Sequence, residues 1–402
     1  MNTRMKTHVI VKTHELALKG KNRPWFMRHL VDNLRSATLG TGVSRVWQGH
    51  MLVGLTLEDE SSWPKVRERV KECFGVAKFF KAYEVPVDLA KLKEVLPGLL
   101  ADRNFQSFRI SANRSDKRFP VTSEEMNRDL GSFVQELSGA RVDLKNPELE
   151  VFLDVMSSGI LLYFEEVKGH GGLPVGVSGH VMTMLSGGID SPVAAWHLMK
   201  RGCRSSFTHF HSYPLVDRSS IEKAMELTDH LTQHQFSSSL FLAPLSEIQK
   251  QIIVSTPPAF RVILYRRFMV RITEVLARRQ GAVAIVTGES CGQVSSQTLD
   301  NIAVIDAVAD MPILRPLIGM NKEEIVEMSR NMGTFSFSIQ PDQDCCSLFV
   351  PKHPQTHARL ETVLKLEAAL PVDDLVEAAV SGIEVKEFAT SHTGSYSGAQ
   401  VS

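Results

Sequence analysis

Long apolar runs are missing from this chain of 402 residues: no stretch of 18 or more occurs, which excludes a membrane-spanning helix. The start, Met1-Asn2-Thr3-Arg4-Met5-Lys6-Thr7-His8, leads directly into a short strand-like run, so no secretory leader is expected. Cysteine is scarce. Five residues, an odd number, cannot make a disulfide framework for a chain this long. A reducing cytoplasm is therefore the expected setting, where a special cysteine serves chemistry. No G-x-x-x-x-G-K-[ST] string is present, which excludes the Walker phosphate loop, and no G-x-G-x-x-G follows a strand, which disfavours a methyltransferase. Internal repeats are absent as well. With 43% apolar and 22% charged residues the chain falls outside the collagen-like, mucin-like and wholly disordered classes.

Net charge is zero, yet its distribution is uneven. Residues 1–50 hold nine Lys/Arg against two acids, a basic front segment suited to a polyanion. Its strand-like run 8–12, basic turn Lys19-Gly20-Lys21-Asn22-Arg23, helical stretch from Pro24 and alternating stretch Arg45–Leu57 read as one compact α+β unit over residues 1–60. A second α+β stretch, 61–168, contains an expected strand at Phe105–Ala112, a helix over Ser123–Leu137 and strands at Glu148–Val155 and Gly159–Glu165. The glycine-rich stretch 169–179 reads as a linker. Beyond it, from 180 to 370, strands alternate with longer helices, which predicts a parallel sheet covered on both faces. Residues 371–402 are expected to form a tail.

The strongest chemical signal is Met184-Leu185-Ser186-Gly187-Gly188-Ile189-Asp190-Ser191-Pro192. An apolar strand gives way here to a helix opened by proline. Gly187 and Gly188 let the backbone bend, Ser186 and Ser191 offer hydroxyls, and the helix N-terminus supplies positive potential for phosphate. Asp190 suits a Mg²⁺ ion bridging to phosphate better than phosphate itself.

Ser-Gly-Gly-Ile-Asp-Ser resembles the SGGxDS pyrophosphatase loop of enzymes that adenylate their substrates. Thr208-His-Phe-His-Ser-Tyr-Pro214, Thr287-Gly-Glu-Ser-Cys-Gly-Gln-Val-Ser-Ser-Gln-Thr-Leu299 and Asp344-Cys-Cys-Ser-Leu-Phe-Val-Pro-Lys352 narrow the choice, as do His14–Arg23 and Arg114–Phe119. Together these strings resemble the tRNA 4-thiouridine synthetase (tRNA sulfurtransferase) family. The resemblance implies an N-terminal ferredoxin-like domain, a THUMP domain that docks RNA and a parallel-sheet adenylating (PP-loop) domain, α/β overall. It carries nucleotide contacts over to Met184, Leu185, His209, Phe210, Arg266, Gly288 and Gln297. It implies catalytic roles for Asp190 and Lys322, and a persulfide on Cys346. Read on its own, Lys322 is also an ordinary solvated lysine at a helix start.

ATP and Mg²⁺ are thus the expected cofactors and tRNA the partner, with Lys19, Lys21, Arg23, Arg109, Arg114, Lys117 and Arg118 as phosphate contacts. Phe105, Phe108 and Phe119, interleaved with these, read as core. The expected reaction replaces O4 of a tRNA uridine (position 8) by sulfur. Alternatives are sulfur transfer to the adenylated C-terminus of a sulfur-carrier protein for thiamine thiazole synthesis, thiolation of another tRNA base, and an RNA-binding protein whose nucleotide loop is regulatory. Only about forty residues follow Arg359, without cysteine, so no rhodanese domain is expected. A cysteine desulfurase or a separate rhodanese would then donate sulfur. Cys345, Cys291, Cys203 or an external reductant could resolve the persulfide. Cys73, Cys203 and Cys291 otherwise read as core thiols. Two cysteines together disfavour an iron–sulfur cluster, a matter left to an iron assay. A homodimer is one assembly left open.

Overall fold

Val9, Ile10 and Val11 are all fully buried in the first strand, β1 (Thr7–Lys12), which places it inside a sheet. The computed structural model describes residues 5–49, 51–115, 120–342 and 353–390. The chain forms two units, Met1–Gly171 and Gly172–Ser402.

In the first unit a 3₁₀ turn (Glu15–Asn22) leads into α1 (Arg23–Ala37), with proline in its first turn. The stretch 45–57, expected as one strand, is instead a hairpin of β2 (Val43–Gln48) and β3 (Leu52–Leu57). The reversal uses positive φ at Met51, and the pairing needs glycine at 54. A Cβ there would lie 2.1 Å from the Trp47 ring, which covers it from the facing strand. Then follow α2 (Trp63–Lys71), β4 (Lys78–Val85), α3 (Leu89–Leu100), β5 (Ser107–Arg114) and α4 (Ser123–Ser138). A Thr122–Glu125 capping box starts α4, and left-handed Gly139 (φ 70) ends it. Strands β6 (Arg141–Val142), β7 (Leu149–Met156), β8 (Gly159–Tyr163) and β9 (Val167–Lys168) complete the unit. One mixed sheet runs β2-β3-β1-β4-β8-β7-β5-β6, with β9 beside β4. Because β4 pairs with both β1 and β8, the two α+β stretches share that sheet. Leu92 and Leu96 of α3 and Met126, Leu130 and Val134 of α4 cluster with Phe108, Val151 and Leu153. Phe108 is core, as expected.

Residues 169–179 carry no helix or strand. Gly171 exchanges hydrogen bonds with Gly75 and Val76 in the first unit. Leu173 donates to the Lys200 carbonyl, and Gly176 and Ser178 to that of Gly202, in the second.

The second unit alternates as expected: β10 (His180–Met184), α5 (Asp190–Lys200), β11 (Arg204–His211), α6 (Ser219–Thr232), β12 (Ser237–Pro244), α7 (Ser246–Ser255), α8 (Arg261–Arg279), β13 (Ile285–Val286), α9 (Leu299–Asp306), β14 (Ile313–Leu314), α10 (Lys322–Asn331) and α11 (Phe335–Ser338). Strands β10–β14 are parallel in the order β14-β13-β10-β11-β12. After α12 (Leu360–Glu367), the segment expected as a tail instead forms α13 (Val372–Ser381) and β15 (Glu384–Ala389). Helix α13 buries Leu375, Ala379 and Val380, and β15 adds an antiparallel edge to β12. The alternating charges of Glu384, Lys386 and Glu387 hide that strand in the sequence, and they also shield the edge. Among the described residues, no helix is long and apolar enough to cross a membrane.

Arg267, 1% exposed, ties α8 to α12. It forms two hydrogen bonds to the Glu367 carboxylate, at 2.8 and 2.7 Å, which Arg271 also grips. Burial alone would raise the Glu367 pKa, but the two guanidiniums outweigh it and hold it at about 2. A depressed carboxylate stabilises the fold above its ordinary value of 4.5, and that contribution disappears as pH falls through 2. Glu367→Gln, which leaves a buried guanidinium unpaired, should cost about 3–5 kcal/mol at pH 7. In thermal melts the gap between wild type and variant should close as pH falls from about 5 towards 2. A gap of equal size at both ends would contradict the assignment.

Candidate functional site

The order of strands sets where a ligand can lie. From β10 the chain winds outward through β11 and β12, then returns to place β13 on the other side of β10. Loops after β10 and β13 therefore part at a switch point beyond the strands' carboxyl ends, where open parallel sheets bind ligands. The bend 186–191 is one of these loops and Thr287-Gly288-Glu289 the other.

Their separation depends on Gly288. A Cβ there would lie 2.6 Å from the Ser191 nitrogen and 2.7 Å from the Asp190 carbonyl carbon, so the second loop packs directly against the start of α5. The bend is held from within. Ser186 N–H donates to Ser191 Oγ at 2.9 Å, and Gly188 N–H donates to Ser186 Oγ at 3.3 Å. Leu185 N–H donates to the Thr208 carbonyl, and His209 Nδ1–H to the Leu185 carbonyl at 2.9 Å. Helix α5 has no side-chain cap at its start. Its first N–H groups and its dipole are thus available to an anion.

A cavity of about 540 Å³ opens beside this bend, within the usual range for small-molecule sites of roughly 300–1,000 Å³. Met184, Leu185, Ser186, Asp190, Ser191, His209, Phe210, Arg266, Gly288 and Gln297 all line it. Gly187 and Gly188 shape the bend without lining the cavity. Phe210, Met184, Val262 and Met269 supply apolar walls. Among the described residues, the lining atoms Thr208 Oγ1, Gln297 Oε1 and Arg266 Nε are buried with no hydrogen-bond partner. Such orphaned groups are costly unless a ligand or water meets them.

Two charge clusters border the cavity. Asp190 accepts from Lys322 Nζ at 2.7 Å and from Gln293 Nε2 at 3.0 Å. Lys322, at the start of α10, is therefore brought to the bend from 132 residues away in the chain. Glu289, almost fully buried, contacts Arg266 and accepts from Arg315 Nε at 2.6 Å. Burial would raise its pKa, but Arg266 and Arg315 outweigh that and keep it low. Arg315 in turn grips Asp306. The sequence reading missed Glu289, Gln293, Thr208 and Arg315. Glu289 lies within Thr287–Leu299, but nothing in its spacing shows that two arginines converge on it.

A phosphate-borne divalent cation fits this donor set: Asp190 offers one carboxylate, the kind of partial protein shell Mg²⁺ accepts beside phosphate and water. Glu289, committed to two arginines, suits it poorly.

Cys345 and Cys346 lie outside the described residues, as do Lys117, Arg118 and Phe119. Cys73 and Cys203 are buried, and burial raises both thiols, Cys73 to about 12. Cys291, expected in the core, is instead exposed. In the first unit, Lys19, Lys21 and Arg23 share one turn, with Lys19 over the Phe26 ring. Arg109 is tied to Glu150 and the Leu144 carbonyl, and Arg114 donates to the Val121 carbonyl, so both brace β5.

Three family profiles match the chain: the ThiI ferredoxin-like domain over residues 8–79, the THUMP domain over 88–165, and ThiI, described as thiamine biosynthesis protein, over 176–372. A Thermus thermophilus protein named "Probable tRNA sulfurtransferase" is 48% identical over 382 residues, 95% of this chain and 94% of that one. Another of that name from Moorella thermoacetica is 40% identical, covering 95% and 97%. Among solved structures, a 4-thiouridine synthetase–RNA complex with bound ATP superposes with TM-score 0.88 at 33% identity, covering 96% of this chain and all of that one.

The contact at Gly288 is directly testable. Gly288→Ala forces a methyl against helix backbone and should cost about 1–3 kcal/mol of stability. Gly319→Ala, with open space around its Cβ, should leave the denaturation midpoint almost unmoved. Equal midpoints for the two variants would show that the loops can spread apart.

Proposed function

Because the chain belongs to the ThiI family of tRNA sulfurtransferases, with ferredoxin-like, THUMP and ThiI domains, we propose that it binds ATP in the cavity at 186–191 and converts a tRNA uridine, at position 8, to 4-thiouridine. One observation carries the reading. Apart from Gly187 and Gly188, the predicted nucleotide residues line one cavity in which an uncapped helix start and three orphaned polar atoms await a ligand.

In this reading the adenine lies among Met184, Phe210, Val262 and Met269, with Gln297 Oε1 and Thr208 Oγ1 free to meet polar edges of the nucleoside. The triphosphate follows the bend, where α5 and the serine hydroxyls face it. Mg²⁺ held at Asp190 would supply charge neutralisation on the phosphates. Lys322 then stands to stabilise charge as the uridine O4 attacks the α-phosphate and pyrophosphate departs. Adenylation turns a poor leaving group into AMP.

The outer sulfur of a Cys346 persulfide, charged by a desulfurase or rhodanese, then attacks C4, and AMP leaves with the former O4. A second thiolate attacks the Cys346 sulfur. That S–S bond breaks, its electron pair stays on the sulfur bound to C4, and a disulfide forms between Cys346 and the attacking sulfur. A dithiol reductant must reopen that disulfide before the next turnover. Burial and a raised pKa make Cys203 a poor resolving thiolate, whereas exposure favours Cys291 or an external thiol.

The basic turn at Lys19, Lys21 and Arg23 supports tRNA docking through phosphate. A second reading, sulfur transfer to an adenylated sulfur-carrier protein, draws on the thiamine description of the matched profile.

Nucleoside mass spectrometry of tRNA from a deletion strain should show 4-thiouridine lost and restored by the wild-type gene. Cys346→Ser should fail to restore it yet still release pyrophosphate when tRNA is added. Asp190→Asn should lose both steps. Unchanged 4-thiouridine in the deletion strain, beside a thiazole requirement, would favour the carrier-protein reading. Affinity for tRNA should fall linearly with salt on logarithmic axes, and more shallowly for Lys21→Ala, by about one phosphate contact.

A further inference from the structure

Lys223, on α6, is 3% exposed and lies outside the charge clusters described above. A buried ammonium is costly unless its three N–H donors find acceptors. All three go to one short stretch: the Ser338 carbonyl at 3.4 Å, the Gln340 carbonyl at 2.5 Å and the Asp342 carboxylate at 3.1 Å. The same stretch grips the phosphate bend. Ser338 Oγ–H donates to the Gly188 carbonyl at 3.3 Å. A Cβ on Gly187 would lie 2.5 Å from Asp342 Oδ2 and 2.9 Å from Lys223 Cδ. Glycine at 187 thus makes room for the carboxylate as well as for the bend. In the chain, Cys346 follows Asp342 by four residues, about 14 Å at full extension.

We propose that Lys223 is a positioning residue for sulfur transfer: its buried ammonium fixes residues 338–342 against the phosphate bend and so sets the point from which the chain runs on to Cys345 and Cys346. This rests on the reading of Cys346 as sulfur carrier. The two half-reactions then depend differently on Lys223. Adenylation uses groups that line the cavity together with Lys322, whereas the Lys223 ammonium bonds to residues 338–342. Transfer of sulfur to C4 requires the carrier to arrive in register with the adenylated base, and a displacement of about 1 Å can cost about 10²-fold in rate.

The test uses the full-length protein, tRNA, ATP and a persulfide-generating desulfurase. Pyrophosphate release and 4-thiouridine formation are measured in the same single-turnover reactions. Lys223→Met should lower 4-thiouridine formation about 10²-fold and tRNA-dependent pyrophosphate release far less, so that pyrophosphate exceeds product. Asp342→Asn, at a partly exposed site, should uncouple the steps in the same direction with a smaller loss, and it serves if Lys223→Met does not fold. Proportional loss of both steps in a folded variant, or wild-type product in both variants, overturns the proposal. Cys346→Ser, run alongside, separates the two failures. Full thiolation by that variant would refute the carrier reading itself; no thiolation by it, with Lys223→Met and Asp342→Asn still coupled, would refute the clamp alone.

Discussion

The second unit is organised around a contact between two backbones, where the loop after β13 rests on the first turn of α5 with no side chain between them. That closeness brings the start of α5 and the loop Thr287-Gly288-Glu289 together on one cavity. The helix start faces the space beyond the strands' ends, Asp190 is turned towards α10, and Glu289 is delivered to two arginines that no nearby sequence supplies. A larger residue at 288 would wedge these loops apart at the switch point of the sheet.

Much of this was legible beforehand. The bend at 186–191 announces itself because glycine, hydroxyl and proline at those spacings do local work, and local work leaves a local pattern. Asp190 stood out as the acid in that bend, Lys322 came from family resemblance, and the geometry joins them. What stayed hidden was long-range. Glu289 reads as one more polar residue until Arg266 and Arg315 converge on it from separate elements. Cys291 reads as a core thiol among small residues, yet its side chain is exposed. Helix α13 and strand β15 escaped because a charged edge strand has the composition of a solvated tail. Likewise, the reversal inside 45–57 turns on one indole lying over one glycine, a relation visible only across a hairpin.

Charge is handled in two ways here. In the core, Glu367 is locked between Arg267 and Arg271, and that grip serves the fold. At the cavity, Asp190 and Lys322 hold each other while both remain partly exposed. Burial separates the structural pair from the pair suited to chemistry, although the residue types are nearly the same.

The antiparallel strand that closes the second sheet emerges from synthesis about 140 residues after the strand it covers. Throughout that interval on the ribosome, the outer edge of β12 has no partner of its own. Its neighbours in the sheet can assemble early, but its hydrogen-bonding groups stand open to any other strand that approaches. That edge is therefore available to strands of other nascent chains for as long as the residues between β12 and β15 are being added.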